Sequence, residues 1–319
     1  MIEMDKTPGN NIMFPDKLQI GDTIALVSPS SPLQPREPVE AIAAAVEKLG
    51  YRVWIGDSCR EETERGYAAA SPQVRVRDLR RTFSDPDIRA IWCTRGGSTA
   101  WQLLPLLDFE LIRRNPKVFI GFSDVTTLHL ALQQRCGLVT YHGPTANRVL
   151  GWGERDFARA GLWAVLEMEG RLVVKNPPDE PICALRPGWA AGQLTGGNLS
   201  LVAASLGTPW QIDAKDRILY LEDVGEGVYA LERKLAQLRY AGVLEDAAAV
   251  VLGAFTDCRN AYRSEYGPEA LVADFFEDYP KPVLTNVRSA HCENMVTLPI
   301  GAWCEVDSEA VAMTLYRTT

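Results

Sequence analysis

The chain has 319 residues, 46% hydrophobic and 23% charged, and its 33 Lys and Arg against 41 Asp and Glu give a formal net charge of −8. These proportions suit a folded protein of about two domains at roughly 150 residues each and exclude a disordered chain. So acidic a chain also lacks the basic surface that non-specific nucleic-acid binding or docking on an anionic membrane requires.

Residues 1–17 are polar and contain Pro8, Gly9 and Pro15, the composition of a loosely held lead-in, and the charged opening is unlike a secretory leader. Residues 23–28 form a short apolar run stopped by Pro29, Ser30, Ser31 and Pro32, a buried strand entering a loop. Val39, Ile42, Ala43, Val46 and Leu49 then recur at helical spacing up to Gly50. A second strand is expected at 51–55, an amphipathic helix at 75–84, and a third strand at 88–94 closed by Arg95, Gly96 and Gly97. A helix at 99–107, a fourth strand at 117–121 and a helix at 125–134 complete the alternation. Strands alternating with helices across short turns predict a mostly parallel, flavodoxin- or Rossmann-like sheet with helices on both faces. Ligands bind such sheets beyond the carboxyl ends of the strands, where loops 28–32, 95–98 and 121–124 should converge.

Residues 1–168 therefore read as an N-terminal α/β domain. Residues 169–187, with Pro177, Pro178 and Pro181, read as an interdomain linker. Residues 188–319 read as a smaller C-terminal α+β or barrel-like domain. Its strands are expected near 218–221, 249–252, 282–287, 303–306 and 310–315, around helices 199–206 and 228–241. No apolar stretch approaches the ~20 residues of a membrane span. The seven cysteines are scattered without Cys-x-x-Cys spacing, which argues against disulfides and structural zinc. No metal or other cofactor is expected, and the location is expected to be cytoplasmic.

The sharpest chemical signal is Ile120-Gly121-Phe122-Ser123-Asp124-Val125. A strand ends, a glycine allows a sharp turn, and Ser123 stands before a helix whose free N–H groups stabilise negative charge on a nearby oxygen. Ser123 or Asp124 would serve equally as a plain helix cap, and Val125 replaces the second glycine of a nucleophile elbow. Gly96 and Gly97 let backbone N–H groups approach a ligand, or simply make a tight turn. Of the three histidines, His129 falls inside a helix, His142 near a strand end, and His291 in a polar loop of the kind that displays binding residues. Glu222, Asp223 and Glu226 follow a strand, where a carboxylate can orient an imidazole or merely cap the next helix. His291, Cys292 and Glu293 are three adjacent ligand types, but sequence neighbours rarely form one metal shell. Cys292 could act as a nucleophile, though Ser123 is better placed.

Gly21-Asp22, Ser28-Pro29-Ser30, Arg95-Gly96-Gly97, Gly121-Phe122-Ser123-Asp124, Thr195-Gly196-Gly197-Asn198, Leu221-Glu222-Asp223-Val224, and His291 followed by Leu298-Pro299-Ile300-Gly301 occur in one order. Together they resemble the LD-carboxypeptidases, a serine peptidase family that also holds the microcin C self-immunity hydrolases. The resemblance implies a Ser-Glu-His triad of Ser123, Glu222 (or Glu226) and His291, with oxyanion donors from the backbone of Gly97 and Asp124. Ser98 stands where the family has an aromatic, and Ala290 where it has Gly before the histidine. The implied substrate is a muropeptide tetrapeptide that loses its terminal D-alanine during wall recycling. Arg95 and Arg233 are candidates to grip its carboxylates, with Gly96 and Ser98 lining the site. The alternatives are an immunity-type hydrolase of aminoacyl or peptidyl nucleotides, whose base could stack on Trp101, Trp152, Trp189 or Trp210, and a non-catalytic ligand-binding protein. A homodimer is implied only by analogy with the family.

Overall fold

The strands are β1 (Thr23–Val27), β2 (Arg52–Ile55), β3 (Ile88–Cys93), β4 (Val118–Gly121), β5 (Thr140–His142), β6 (Arg171–Val173), β7 (Cys183–Arg186), β8 (Trp189–Asn198), β9 (Ile218–Val224), β10 (Ala249–Thr256), β11 (Val283–Thr285), β12 (Leu298–Ile300), β13 (Trp303–Asp307) and β14 (Ala312–Tyr316). The helices are α1 (Val39–Glu47), α2 (Pro72–Ser84), α3 (Phe109–Arg114), α4 (Thr126–Cys136), α5 (Phe157–Leu166), α6 (Leu199–Ser205), α7 (Val228–Tyr240), α8 (Val243–Asp246) and α9 (Pro268–Phe275). They come from a computed structural model that describes residues 12–317 apart from 62, 64, 154, 155 and 290.

The first sheet runs β12-β5-β4-β3-β1-β2, with β2, β1, β3, β4 and β5 parallel and β12 antiparallel to β5. Its central strands are largely apolar because both faces are covered, with Arg89 at the start of β3 reaching out to Asp16. Helices α1 and α5 bury Val39, Ile42, Val46, Leu162 and Val165 on one face. Helices α2 and α4 bury Leu79, Phe83, Leu128 and Leu132 on the other. Local chemistry sets the helix ends: Ser71 and Asp108 cap α2 and α3 through their side chains, and Gly137, at φ 69°, stops α4 in the left-handed conformation.

The second sheet runs β6-β14-β13-β8-β9-β10-β11-β7. Strands β8 to β11 are parallel, and both flanks are antiparallel. It is an open sheet with β6 and β7 at its edges rather than a barrel. Helices α6, α7 and α9 bury Val202, Leu231, Leu235 and Leu271 against one face. The other face packs its Tyr220, Val251 and Leu284 with Leu298 and Ile300 of β12. Strand β12 is thus hydrogen-bonded into the first sheet while its side chains fill the core of the second.

Several expectations need correction. Residues 169–187, read as a linker, carry both edge strands of the second sheet. The helix expected at 99–107 is a tighter 3-10 turn, Ala100–Leu106, with Pro105 inside it, where a regular helix would lose a hydrogen bond. Residues 195–198 finish a long strand, β8, that the sequence reading missed.

Candidate active site

At the end of β4 a Cβ on Gly121 would lie 3.0 Å from both Cys93 Cβ and Val125 Cγ1, so a larger residue there would have to push those side chains aside. Phe122 is extended, and Ser123 then takes φ 65°, a left-handed conformation that a residue with a Cβ adopts at a cost. Neither the short 3-10 turn Ser123–Val125 nor α4 receives a side-chain cap. The capping reading of Ser123 and Asp124 therefore finds no support in the hydrogen bonding, and Ser123 stands half-buried at the head of α4.

The backbone of the Arg95–Ser98 loop lies over this turn. A Cβ on Gly96 would sit 2.7 Å from Ser123 Cβ and 3.0 Å from its Oγ, so a glycine there is what allows the loop to approach. Among the described residues, the N–H groups of Gly97 and Asp124 donate to no protein acceptor. That leaves them free to bind an anionic oxygen.

Glu222, fully buried in β9, contacts His291: the imidazole Nδ1 lies 3.0 Å from Glu222 Oε2. Burial pushes the Glu222 carboxyl above its ordinary range, and the imidazole only partly offsets this. The ring of Phe122, next to Ser123, lies 4.7 Å from the imidazole centroid. His291 thus packs on the residue preceding the serine. Ser123 Oγ itself makes no hydrogen bond to the imidazole among the described contacts, and such contacts commonly tighten only when substrate binds.

The loop that carries His291 is anchored from both halves of the chain. Arg148 donates to the Cys292 carbonyl at 2.9 Å, Val287 N–H to Leu252 at 3.1 Å, and the Tyr220 hydroxyl to the Ser289 carbonyl. Gly253 makes room for it, since a Cβ there would lie 2.5 Å from the Tyr220 hydroxyl oxygen and 3.0 Å from Glu222 Cβ. Ala290 lies outside the described residues.

Glu226 is engaged elsewhere, 2.9 Å from Lys234 Nζ. Asp223 accepts from Asn198 Nδ2 at 2.9 Å and from Ser200 Oγ at 2.7 Å. His129 is buried between Thr140 Oγ1 and the Gly121 carbonyl, each at 2.8 Å, and burial lowers it to about 4. His142 is fully buried, with neither ring nitrogen hydrogen-bonded among the described residues, and burial holds it well below the usual histidine range. Burial raises the Cys292 thiol, which disfavours the thiolate a cysteine nucleophile needs. Among the described residues no three His, Cys, Asp or Glu side chains are grouped to hold a metal ion.

Arg95 is half-buried at the rim, with Nη1 donating weakly to the Pro32 carbonyl at 3.4 Å, and Ser98 is exposed beside it. Arg233 is exposed on α7, its guanidinium 5.1 Å from the Tyr229 ring, and no described contact ties it to Ser123 or Glu222. Of the four tryptophans considered for stacking on a base, Trp152 packs on Trp92, and Trp210 lies against Phe109 and Arg135. Trp101 and Trp189 are exposed, and Trp101 follows the Gly96–Gly97 loop. Ser30, Arg75, Thr126, Tyr220 and Gly253, to which the sequence alone assigned no role, all shape this region. Paired glycines inside β8 were the available signal for a close backbone approach there.

Comparisons with known proteins agree with this architecture. Residues 24–143 match the LD-carboxypeptidase N-terminal domain, and residues 191–306 match the LD-carboxypeptidase C-terminal domain. A murein tetrapeptide carboxypeptidase of Pseudomonas aeruginosa is 36% identical over 88% of this chain and 92% of its own. A probable murein peptide carboxypeptidase of Bacillus subtilis is 34% identical over 90% of this chain and 89% of its own. Among solved structures, an MccF-like protein from Bacillus anthracis superposes with a TM-score of 0.86 at 28% identity, over 96% of this chain and 100% of its own. The chain belongs to the LD-carboxypeptidase family of serine peptidases.

Proposed function

We propose that this carboxypeptidase removes the terminal D-alanine from an L,D-linked muropeptide tetrapeptide in cytoplasmic peptidoglycan recycling, through a Ser123–His291–Glu222 triad and an acyl-enzyme. The observation that carries the reading is the buried Glu222 carboxylate on His291 Nδ1 at 3.0 Å, with the imidazole packed against the ring of the residue before Ser123. Glu222 fixes the imidazole with its proton on Nδ1, leaving Nε2 to take the proton from Ser123 Oγ. The serine oxygen attacks the carbonyl carbon, and the negative charge that forms on the carbonyl oxygen is held by the N–H groups of Gly97 and Asp124. His291 then protonates the departing amine of D-alanine, and water, deprotonated by the same imidazole, releases the shortened peptide. Arg95 is the candidate for gripping a substrate carboxylate. Arg233 would need a peptide long enough to reach the exposed face of α7.

A second reading, hydrolysis of an acyl linkage to a nucleotide, is favoured by the likeness to the MccF-like protein and by Trp101, 59% exposed beyond the glycine loop, where a base could stack. Incubating the enzyme separately with a sugar-free tetrapeptide and with an aminoacyl sulfamoyl nucleotide, followed by mass spectrometry, separates the two. Loss of one alanine from the tetrapeptide supports the first reading. Cleavage of the nucleotide conjugate alone overturns it.

A further inference from the structure

Asp124 has a buried carboxylate that caps neither its own turn nor α4 and forms no salt bridge within 4.0 Å among the described residues, and its Oδ1 has no partner among them. All its hydrogen bonding falls on Oδ2, which accepts the Ser30 hydroxyl at 2.5 Å and the Ala100 N–H at 2.8 Å. Both donors belong to the loops that face Ser123. The Ser30 hydroxyl oxygen in turn accepts the Thr99 N–H at 3.1 Å, and the Thr99 hydroxyl donates to the Ser30 carbonyl at 3.1 Å. Ser31 N–H donates to the Gly96 carbonyl at 3.2 Å. A Cβ on Gly97 would run into Ser31 Oγ and lie 2.5 Å from Ser30 Oγ, so the loop is seated on both hydroxyls.

Behind this hub the buried guanidinium of Arg75 donates to the carbonyls of Pro29 at 2.8 Å, Thr99 at 3.2 Å and Ala70 at 3.0 Å. Loops 28–32 and 96–100 are therefore tied to each other, and Asp124 Oδ2 is where they are fastened to the serine turn.

We infer that the Asp124 side chain is a positioning residue: one carboxylate oxygen fastens the loop carrying the Gly97 N–H to the turn carrying Ser123 and the Asp124 N–H. The two oxyanion donors are thereby held at a fixed separation. The inference rests on the assignment of Ser123 as nucleophile and of those N–H groups as oxyanion donors. The residue after the serine then has two tasks, its amide facing the substrate and its carboxylate gripping the opposite wall. A buried acid lacking a counter-ion within salt-bridge distance is a costly way to join two loops, and what it provides that apolar packing does not is directional aim at two named donors.

The experiment compares Asp124→Ala, Asp124→Asn and Ser30→Ala with the wild type and Ser123→Ala, measuring kcat per titrated active site, KM and the rate of labelling by a fluorophosphonate. Counting active sites removes any contribution from unfolded protein. Losing the aim of a donor should approach losing the donor, about 10²-fold or more in kcat, so Asp124→Ala is expected to fall by about that factor with KM little changed. Its labelling should slow in parallel, because labelling also builds charge on an oxygen in the donor site. Asp124→Asn, whose amide oxygen can accept from both Ser30 and Ala100, should recover at least tenfold of the loss, about 1.4 kcal/mol of barrier. Ser30→Ala, which keeps the Ala100 bond, should lie between. Wild-type kcat per active site in Asp124→Ala, or an Asn variant no better than Ala, would overturn the inference. If Ser123→Ala keeps its turnover, the catalytic assignment fails instead, and the two failures are told apart.

Discussion

Thr126 and Asn198 join the two halves of the chain beside Ser123 and Glu222: the Thr126 hydroxyl accepts the Asn198 backbone N–H at 3.0 Å. Thr126 opens the helix behind Ser123, and Asn198 lies in register with Glu222 across the β8–β9 pair. This is a short path between the serine turn and the strand beside the glutamate. Gln133 adds a second tie further along α4, accepting the Thr195 hydroxyl at 2.7 Å and donating to the Leu194 carbonyl at 2.9 Å.

Gly197 makes that joint possible. It sits at φ 139°, and a Cβ on it would lie 2.5 Å from Thr126 Oγ1. Gly197→Ala should therefore destabilise the fold by about 1–3 kcal/mol and lower kcat by moving the acid and the serine apart. Urea unfolding and steady-state kinetics on the same preparation check both effects.

Ser123 holds its left-handed conformation against the preference of any residue with a Cβ. Ser123→Ala and Ser123→Gly should both lose turnover, on the order of 10⁴-fold or more. The glycine variant should nevertheless be the more stable of the two, by about 1–2 kcal/mol. Thermal unfolding of the pair reads the difference, and equal stabilities would show that the turn carries no strain.

Glu222→Gln should lower kcat by about 10⁴-fold, as expected when an imidazole loses the carboxylate that fixes its tautomer, whereas Glu226→Gln, which loosens only Lys234 and Ser200, should change it little. The stability effect has the opposite sign. Burial raises the Glu222 carboxyl in the folded state, so the native state is favoured while that group is protonated. The contribution is lost as pH rises from the ordinary value of ~4.3 through the folded-state one. Glutamine does not ionise, so the stability of the variant relative to the wild type should increase across that range in denaturant titrations.

His129 contributes on the acid side. Buried and held near about 4, it stays neutral in the fold while an unfolded histidine protonates below ~6.5. The stability it contributes is complete above that value and is lost as pH falls toward the folded-state one, up to the order of 3 kcal/mol. His142, displaced in the same direction, adds to the slope. His129→Gln should flatten the dependence of the urea midpoint on pH in this window, whatever its effect on absolute stability.

Much of the first sheet could be read from the sequence because β1, β3 and β4 are short, largely apolar runs between turn residues, and their helices carry their own spacing and stops. The second half offered less. Strand β12 is three residues with a central proline, Leu298–Ile300, and resembles a loop until its pairing with β5 is seen. Strands β6 and β7 lie on either side of the prolines that suggested a linker. Within the site, Ser123 stood out because a strand, a glycine and a helix start are local signals. The choice between Glu222 and Glu226 depends on which carboxylate meets a histidine 69 residues away from Glu222, and no local pattern encodes that. The roles of Ser30, Arg75 and Thr126 were equally hidden, since each acts only through contacts made by folding.

The most direct test of the account is intact-protein and peptide mass spectrometry after reaction with a fluorophosphonate, run on wild type, Ser123→Ala, His291→Ala and Glu222→Gln. The account predicts one adduct, on the peptide bearing Ser123, absent from Ser123→Ala and formed far more slowly in the other two variants. An adduct on a different residue, or tetrapeptide turnover that persists in Ser123→Ala, would contradict it.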